Sequence, residues 1–508
     1  MRTLEILLLL ADLLAYCFVV LPRMRTGFWI RLAPVLALAM AGVQYLVEGA
    51  RWQMAPAYAL TALFFLLWLP RNSTPVGERT GRKLPRPIIA ALASGLGALG
   101  LAIAVALPMM APVFSFAHPT GPYGIGTLTY HWVDASRSDV FAADPKERRQ
   151  LMAQIWYPAQ ANPSAPRAAY LQDADAVTAA FARIHDKPAF LFGHLKYVTT
   201  NAVSSLPAAV DQARYPVLLF LEGATGFRQM NTFQVEQLVS HGYIVVAIDQ
   251  PGAAATVVFP DGHQVASLTP AQFRATVGPS YMPAGTESSH KGTLLPNGRA
   301  LDDASIIPYL AQDARFALDQ LADLNQADPT GILTGRLDLQ RIGTFGISLG
   351  GIVVGEACRI DPRLRACLVM DAAMPSDVVK AGLQQPSMWI TRDAASMRLE
   401  RQRVGGWTEA QIEAHQTSMR AVYEGLPGAG YFVRVPGMFH ANFTDIARWT
   451  PLAAQLGLSG PIDELRAHDI VNAYSLAFFD RHLLGRPARI LDGPAKKYPE
   501  VLFEARRS

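Results

Sequence analysis

The sequence predicts an α/β domain, a mostly parallel sheet with helices on both faces, preceded by a four-helix transmembrane region. Three observations carry this. The 508 residues exceed one ordinary domain, for which ~100–200 residues are usual. Four apolar runs precede residue 115. Beyond residue 123, short strand-like apolar runs alternate with helical ones, the pattern of a parallel sheet covered on both sides.

Composition excludes several classes. Hydrophobic residues make up 51% and charged residues 17%, which rules out disorder as the general state. With 39 Gly and 36 Pro but no G-X-Y period, a fibrous chain is excluded too. Three cysteines cannot staple this length, and their spacing fits no zinc pattern. No phosphate loop or dinucleotide fingerprint is present either, so neither metal nor cofactor is expected. The net charge of +4 is uneven. Residues 1–115 hold ten Lys/Arg and four acids, leaving 35 basic and 37 acidic residues beyond. Basic residues clustered between apolar stretches argue for a bilayer partner and against nucleic acid.

The apolar runs cover residues 3–22, 28–47, 54–70 and 88–114. A bilayer core needs ~20 apolar helical residues. Three further runs, and no small-residue cleavage site, set the first run apart from a signal peptide. The loop after run one carries Arg23 and Arg25; the loop after run three carries Arg71, Arg79, Arg82, Lys83 and Arg86. Basic loops stay cytoplasmic. The N-terminus and everything after about residue 115 are therefore expected on the exoplasmic or periplasmic side of a bacterial inner or cell membrane. Asp12 falls mid-run, where a hydrogen bond to a neighbouring helix is expected. Ala90, Ser94, Ala98, Ala102 and Ala106 form a small-residue stripe at spacing four, suited to helix packing.

Residues 116–122 (FAHPTGP) read as a linker, and 123–508 as the catalytic domain. Strands are expected at 127–135, 149–160, 215–223, 243–252, 341–347, 365–373, 386–394 and from 430. Helices are expected at 233–242, 309–326, after 348, and at 469–484. Two stretches interrupt the rhythm. Residues 253–305 are rich in Gly, Pro, Ser and Thr, and residues 395–428 in helix formers. Both are expected as lid-like insertions above the sheet's C-terminal edge.

The sharpest chemical signal is Gly346-Ile347-Ser348-Leu349-Gly350. An apolar strand precedes it and a helix follows, the context of a nucleophile elbow. A serine hydroxyl needs a base. Asp371 ends the next strand, 23 residues on, and His440 follows a later strand after 69 more. This order, serine then acid then histidine, suits His440 as base and Asp371 as its orienting partner. Rival acids are Asp377, Asp393 and Asp445, with Asp393 the strongest. His241, His415 and His482 lie in or at the ends of helices and read as surface or capping groups. The oxyanion of an acyl transfer needs preorganised amides. The N–H groups of Leu349, after the serine, and Ala224, in the loop after strand 215–221, are assigned that role. Asn442-Phe-Thr matches a glycan acceptor but adjoins the histidine, where a glycan would obstruct.

Together LLFLEGATGFRQMNTFQVEQLVSHGYIVVAIDQPG (218–252), GISLGG, the Asp371 strand end and FHANFTD resemble the plasma-type, lipase-like platelet-activating-factor acetylhydrolase family. GPYGIGTLTYHW at 121–132 is similar to that family's start. The resemblance spans most of 121–490 and implies an α/β-hydrolase fold, a Ser348–Asp371–His440 triad, oxyanion donors at Ala224 and Leu349, no metal, and short-acyl ester hydrolysis. Two departures stand out. Glu222-Gly223 replaces the family's usual His-Gly, and four apolar runs precede the domain. The expected function is a membrane-anchored serine ester hydrolase acting on small-molecule or lipid esters, phospholipid sn-2 acyl groups among them. The alternatives are a lipase- or cutinase-like polyester or lipid hydrolase, and a non-catalytic membrane scaffold.

Overall fold

The computed structural model describes residues 1–21, 28–73, 86–142, 144–269, 271–272, 275–276, 293–301 and 305–506. The chain divides into two compact units. One comprises Met1–Phe114 with Phe190–His194 and Trp449–Leu452; the other comprises Ser115–Ala189, Leu195–Arg448 and Ala453–Ser508.

In the first unit each apolar run forms a helix: Thr3–Val20, Ala33–Glu48, Ala55–Ser73 and Arg86–Met110. Among the described residues, two stretches, Thr3–Val20 and Trp52–Leu69, are long and apolar enough to cross a membrane. Ala33–Glu48 and Ser94–Met110 are apolar but shorter. Of the four spans expected, two meet that length and apolarity among the described residues. Gly49, at φ 75°, ends the Ala33–Glu48 helix after 16 residues, and 16 residues reach only about 24 Å of a ~30 Å core. The loop charges at Arg23, Arg25, Arg79, Arg82 and Lys83 lie outside the described residues.

Polar groups sit inside this unit. Asp12 accepts a hydrogen bond from Thr61 Oγ1 (2.7 Å) on a neighbouring helix, and Arg51 clasps Glu5 through Nε (2.6 Å) and Nη2 (2.7 Å). Leu46, Val47 and Leu96 lie outside, 82%, 72% and 70% exposed. The small-residue stripe does not stay on the packed face beyond Ser94. Steps of four residues drift about 40° around a helix each time, so Ala98, Ala102 and Ala106 come out exposed. Packing instead falls on Ser94, whose carbonyl binds Tyr16, and on buried Ala104.

Among the described residues the second unit holds fourteen strands: β1 (Gly124–Ser138), β2 (Arg148–Ala159), β3 (Val203–Ser204), β4 (Tyr215–Leu221), β5 (Ile244–Asp249), β6 (Thr256–Val258), β7 (Gln264–Ala266), β8 (Thr293–Leu294), β9 (Ala300–Leu301), β10 (Leu337–Ile347), β11 (Leu364–Met370), β12 (Ser387–Thr391), β13 (Gly430–Arg434) and β14 (Leu502–Arg506). Ten of them make one sheet in the order β14-β13-β12-β11-β10-β4-β5-β2-β1-β3. Strands β13 to β5 in that order run parallel, while β14 and β2 pair antiparallel with their inner neighbours. The sheet is mixed, with a parallel centre.

The central strands are buried on both faces, which is why they read as unbroken apolar runs. All seven residues of β4, YPVLLFL, are buried. Val217, Leu219 and Leu221 join the core of Leu310, Leu318 and Val353, from the helices Ile306–Gln326 and Leu349–Ile360. The alternate residue Phe220 meets Phe345 (5.0 Å between rings), which meets Phe479 on the helix Glu464–Leu484. From β4 the chain turns to β5 on one side and later returns to β10 on the other. Such a reversal opens a crevice at the carboxyl ends of the two strands.

Cys358 and Cys367 are both buried and unpaired in a disulfide. Within the 395–428 stretch the chain forms two helices, Ala394–Val404 and Glu409–Gly425. The 253–305 stretch holds the hairpins β6–β7 and β8–β9, with 270, 273–274, 277–292 and 302–304 outside the described residues.

Candidate active site

Five adjacent parallel strands each deliver one piece of the site at the carboxyl edge. β10 ends at Ile347, and the next helix starts at Leu349. Ser348 between them has φ 56° and ψ −123°. A non-glycine residue there costs ~1–3 kcal/mol and persists only where surroundings fix it. Here Ser348 N–H donates to Met370 O (3.0 Å), and Ser348 O accepts from Ile352 N–H (3.0 Å). The flanking glycines are obligatory. A Cβ on Gly350 would lie 2.0 Å from Leu221 O, and one on Gly346 would lie 2.6 Å from Gly350 O. Among the described residues Ser348 Oγ makes no hydrogen bond, His440 included. Bonds of this kind often tighten only on substrate binding.

β11 delivers Asp371, buried and at φ 44°. Its Oδ2 lies 2.5 Å from His440 Nδ1, and its Oδ1 accepts from Thr391 Oγ1 (2.9 Å). Arg392 Nε lies 2.8 Å from Oδ2, and His415 Nε2 3.5 Å from Oδ1. Burial alone would raise the Asp371 carboxyl. The Arg392 guanidinium, His415 and His440 outweigh that and hold it well below the usual carboxylate range.

His440 opens a helical turn after β13. Its loop is tied down on several sides. Asn442 Oδ1 accepts from Phe439 N–H (2.8 Å) and Gly460 N–H (2.9 Å), and Asn231 Nδ2 donates to Phe443 O (2.8 Å). Asn442 is fully buried, so its acceptor sequence is closed to a glycan.

The rival acids go elsewhere. Asp445 caps the Thr232–Ser240 helix, accepting from Thr232 N–H (2.8 Å) and Phe233 N–H (3.2 Å). Asp393 caps the Ala394–Val404 helix through Ser396 N–H (2.9 Å). Asp377 sits in the first turn of Ser376–Ala381. Among the histidines, His241 meets Thr120 (2.9 Å) and His482 meets Tyr431 (3.0 Å). His415 departs from the surface or capping role expected of it. It is buried beside Asp371, and burial pushes its imidazole down. Ile412, His415, Met419 and Val422 are all buried along one helix face. Their spacing of three and four was the available signal.

The loop after β4 runs beside the serine: a Cβ on Gly223 would lie 3.2 Å from Ser348 Cβ. Thr225, at φ 59°, donates its N–H to Ala253 O (2.7 Å), and Gly226 N–H returns to Gly223 O (2.9 Å). Ala224 N–H donates to none of the described residues. Leu349 is the first residue of its helix, so its N–H has no partner within the helix. Two amides are thereby open beside Ser348.

Glu222 is buried and turned into this loop's base, where Oε1 accepts from Gln250 N–H (3.1 Å). Burial, then the nearby Asp249 carboxylate, push Glu222 well above the ordinary carboxyl range. Asp249 keeps its own counter-ion, accepting from Arg228 N–H (2.6 Å) and contacting the Arg228 guanidinium. Beneath them, Asp313 is bound by Arg149 (2.6 Å), Arg137 (2.7 Å) and Gln250 (3.0 Å). A protonated Glu222 adds no negative charge beside the open amides. Among the described residues, no cluster of three or more His, Cys, Asp or Glu could hold a metal ion.

The switch-point crevice and the strained serine turn define an α/β hydrolase. Known proteins narrow this. The platelet-activating factor acetylhydrolase of Cavia porcellus is 24% identical over 387 residues, covering 73% of this chain and 80% of that protein. The enzyme of that name from Canis lupus familiaris is 26% identical over 311 residues, covering 58% and 62%. A probable 1-alkyl-2-acetylglycerophosphocholine esterase of Arthroderma benhamiae is 25% identical over 301 residues, covering 58% and 67%. A ferulic acid esterase from Streptomyces cinnamoneus superposes with a TM-score of 0.59 at 27% identity, covering 77% of this chain and 99% of its own. No family model matches the chain. The chain is an ester hydrolase with an α/β-hydrolase fold, similar to the platelet-activating factor acetylhydrolases.

Proposed function

We propose that the chain is a membrane-anchored serine carboxylic-ester hydrolase working through Ser348, His440 and Asp371. Ser348 Oγ attacks the acyl carbon while His440 Nε2 takes its proton. The oxyanion is received by the N–H groups of Ala224 and Leu349, each such donor being worth ~3 kcal/mol. His440 then protonates the departing alkoxide, leaving an acyl-serine. A water, deprotonated by His440, attacks that ester and restores the serine. Asp371 fixes the imidazole and balances its charge at both steps. The observation that carries this reading is the 2.5 Å contact of Asp371 Oδ2 with His440 Nδ1, one strand from the Ser348 elbow.

Short-acyl esters, phospholipid sn-2 acyl groups among them, are the proposed substrates, supported by the names of the acetylhydrolase relatives. A second reading, hydrolysis of aromatic-acid esters, draws on the ferulic acid esterase likeness. Anchoring is supported by a helical unit with apolar residues outside and charged residues inside. The basic loop residues favour the N-terminus and catalytic unit on the face away from the cytoplasm.

A fluorophosphonate probe tests the mechanism. Wild type is expected to label, and Ser348→Ala to lose both labelling and at least ~10⁴-fold of kcat. Hydrolysis surviving in Ser348→Ala would refute the triad. A series of p-nitrophenyl esters set against methyl ferulate ranks the two substrate classes.

A further inference from the structure

We propose that Arg392 and Glu400 are a positioning pair that sets the basicity of His440 through the oxygen atoms it shares with them. The inference rests on the triad reading above. Arg392 Nε lies 2.8 Å from Asp371 Oδ2, the same oxygen that His440 Nδ1 approaches at 2.5 Å. The guanidinium is fully buried, touches Glu400 Oε2 through Nη1, and lies 5.4 Å from the Trp407 ring centre. Glu400 Oε1 accepts the backbone N–H of His440 (3.3 Å). Asp371, Arg392, Glu400 and His440 thus form a closed ring of contacts.

The electrostatic consequence has a definite sign. A lone Asp371 carboxylate would stabilise the imidazolium with one full negative charge. Arg392 beside the same oxygen cancels much of that. Glu400 cancels Arg392 in turn and returns the cluster to one net negative charge. The other groups facing this loop are accounted for. His415 sits on Asp371 Oδ1 (3.5 Å), and Arg403 lies over the Phe439 ring (5.5 Å). Asp445 is taken up by the amides of Thr232 and Phe233, and His468 by Thr444 O (3.1 Å). Glu400, Trp407 and His415 all come from the stretch inserted between β12 and β13. That insertion therefore braces the triad from behind, in addition to any covering role.

The test is the acid limb of kcat/KM against pH, which reports the base of the free enzyme. Glu400→Gln removes a negative charge without changing shape, and is expected to move the limb down by about one pH unit. Arg392→Met removes a positive charge, and is expected to move it up. Opposite displacements distinguish charge tuning from structural damage, which would lower activity without moving the limbs apart. Limbs that coincide with wild type, or move together, overturn the pair. Should Arg392→Met fail to fold, the isosteric Glu400→Gln decides alone, an unmoved limb being the overturning result. The Ser348→Ala control separates the two claims. Activity surviving there sinks the triad and the pair together. Activity lost there, with unmoved limbs, sinks only the pair.

Discussion

Glu222 shows what a single buried carboxyl does to this site. An ordinary glutamate titrates near ~4.3 in an unfolded chain. Burial, with Asp249 as neighbour, raises Glu222 well above that in the folded state. The folded protein therefore holds a proton that the unfolded chain releases. Its contribution is full below the unfolded value and is lost as pH rises toward the folded one. Glu222→Gln cannot ionise and keeps an oxygen for Gln250 N–H. At pH 8 the variant is expected to melt a few degrees above wild type, and at pH 4 to match it. An equal gap at both pH values would mean Glu222 is ionised in the fold. The places of Ser348 and Asp371 at strand ends and of His440 on a turn were legible in sequence from the apolar runs before them. Arg392 was not. It directly follows β12, beside an aspartate that drew attention as a rival acid, and only the fold shows that Arg392 turns to Asp371 while Asp393 caps a helix.

At the scale of elements, the elbow joins three strands through backbone contacts that no side chain can relax. A Cβ on Gly350 meets Leu221 O at 2.0 Å and Glu222 O at 2.5 Å. Relief requires moving the end of β4 and with it the Ala224 amide. Gly350→Ala is expected to cost ~3 kcal/mol, the upper end for overpacking, and to abolish probe labelling. Gly428→Ala, with nothing within 4 Å, is the neutral control. A Gly350→Ala protein that labels and melts like wild type would show that the elbow is loose. The continuous apolar strands β4, β5 and β11 were readable because a two-faced parallel sheet demands such runs. β14 was not, since an edge strand with exposed residues carries no apolar pattern. The two inserted helices were readable as helix-forming sequence. Their reach to Asp371 was not, because it depends on His415, 44 positions further along the chain from Asp371.

At the scale of the molecule, the first unit inverts the usual distribution of side chains. Glu5, Asp12, Gln44, Arg51 and Gln53 are buried within it, while Leu46, Val47, Leu66, Leu92 and Leu96 are exposed. Each exposed leucine or valine gains ~1.5–3 kcal/mol on leaving water, so five of them together are comparable to the whole stability of a typical domain, about 5–15 kcal/mol. An apolar surface of this kind fits the proposed bilayer anchoring. The same segment carries ten basic and four acidic residues, so adsorption to an anionic lipid surface by charge alone is the competing account. The two forces separate under salt, which screens charge within ~3 Å at 1 M but strengthens or leaves intact apolar burial. Membranes carrying the full-length protein, washed in 1 M sodium chloride and then in alkaline carbonate, are expected to retain it in the pellet, with release only into detergent. Release by salt would assign the attachment to charge. Release by carbonate alone would assign it to a peripheral protein contact, and either result would remove the bilayer from the account of how this hydrolase meets its esters.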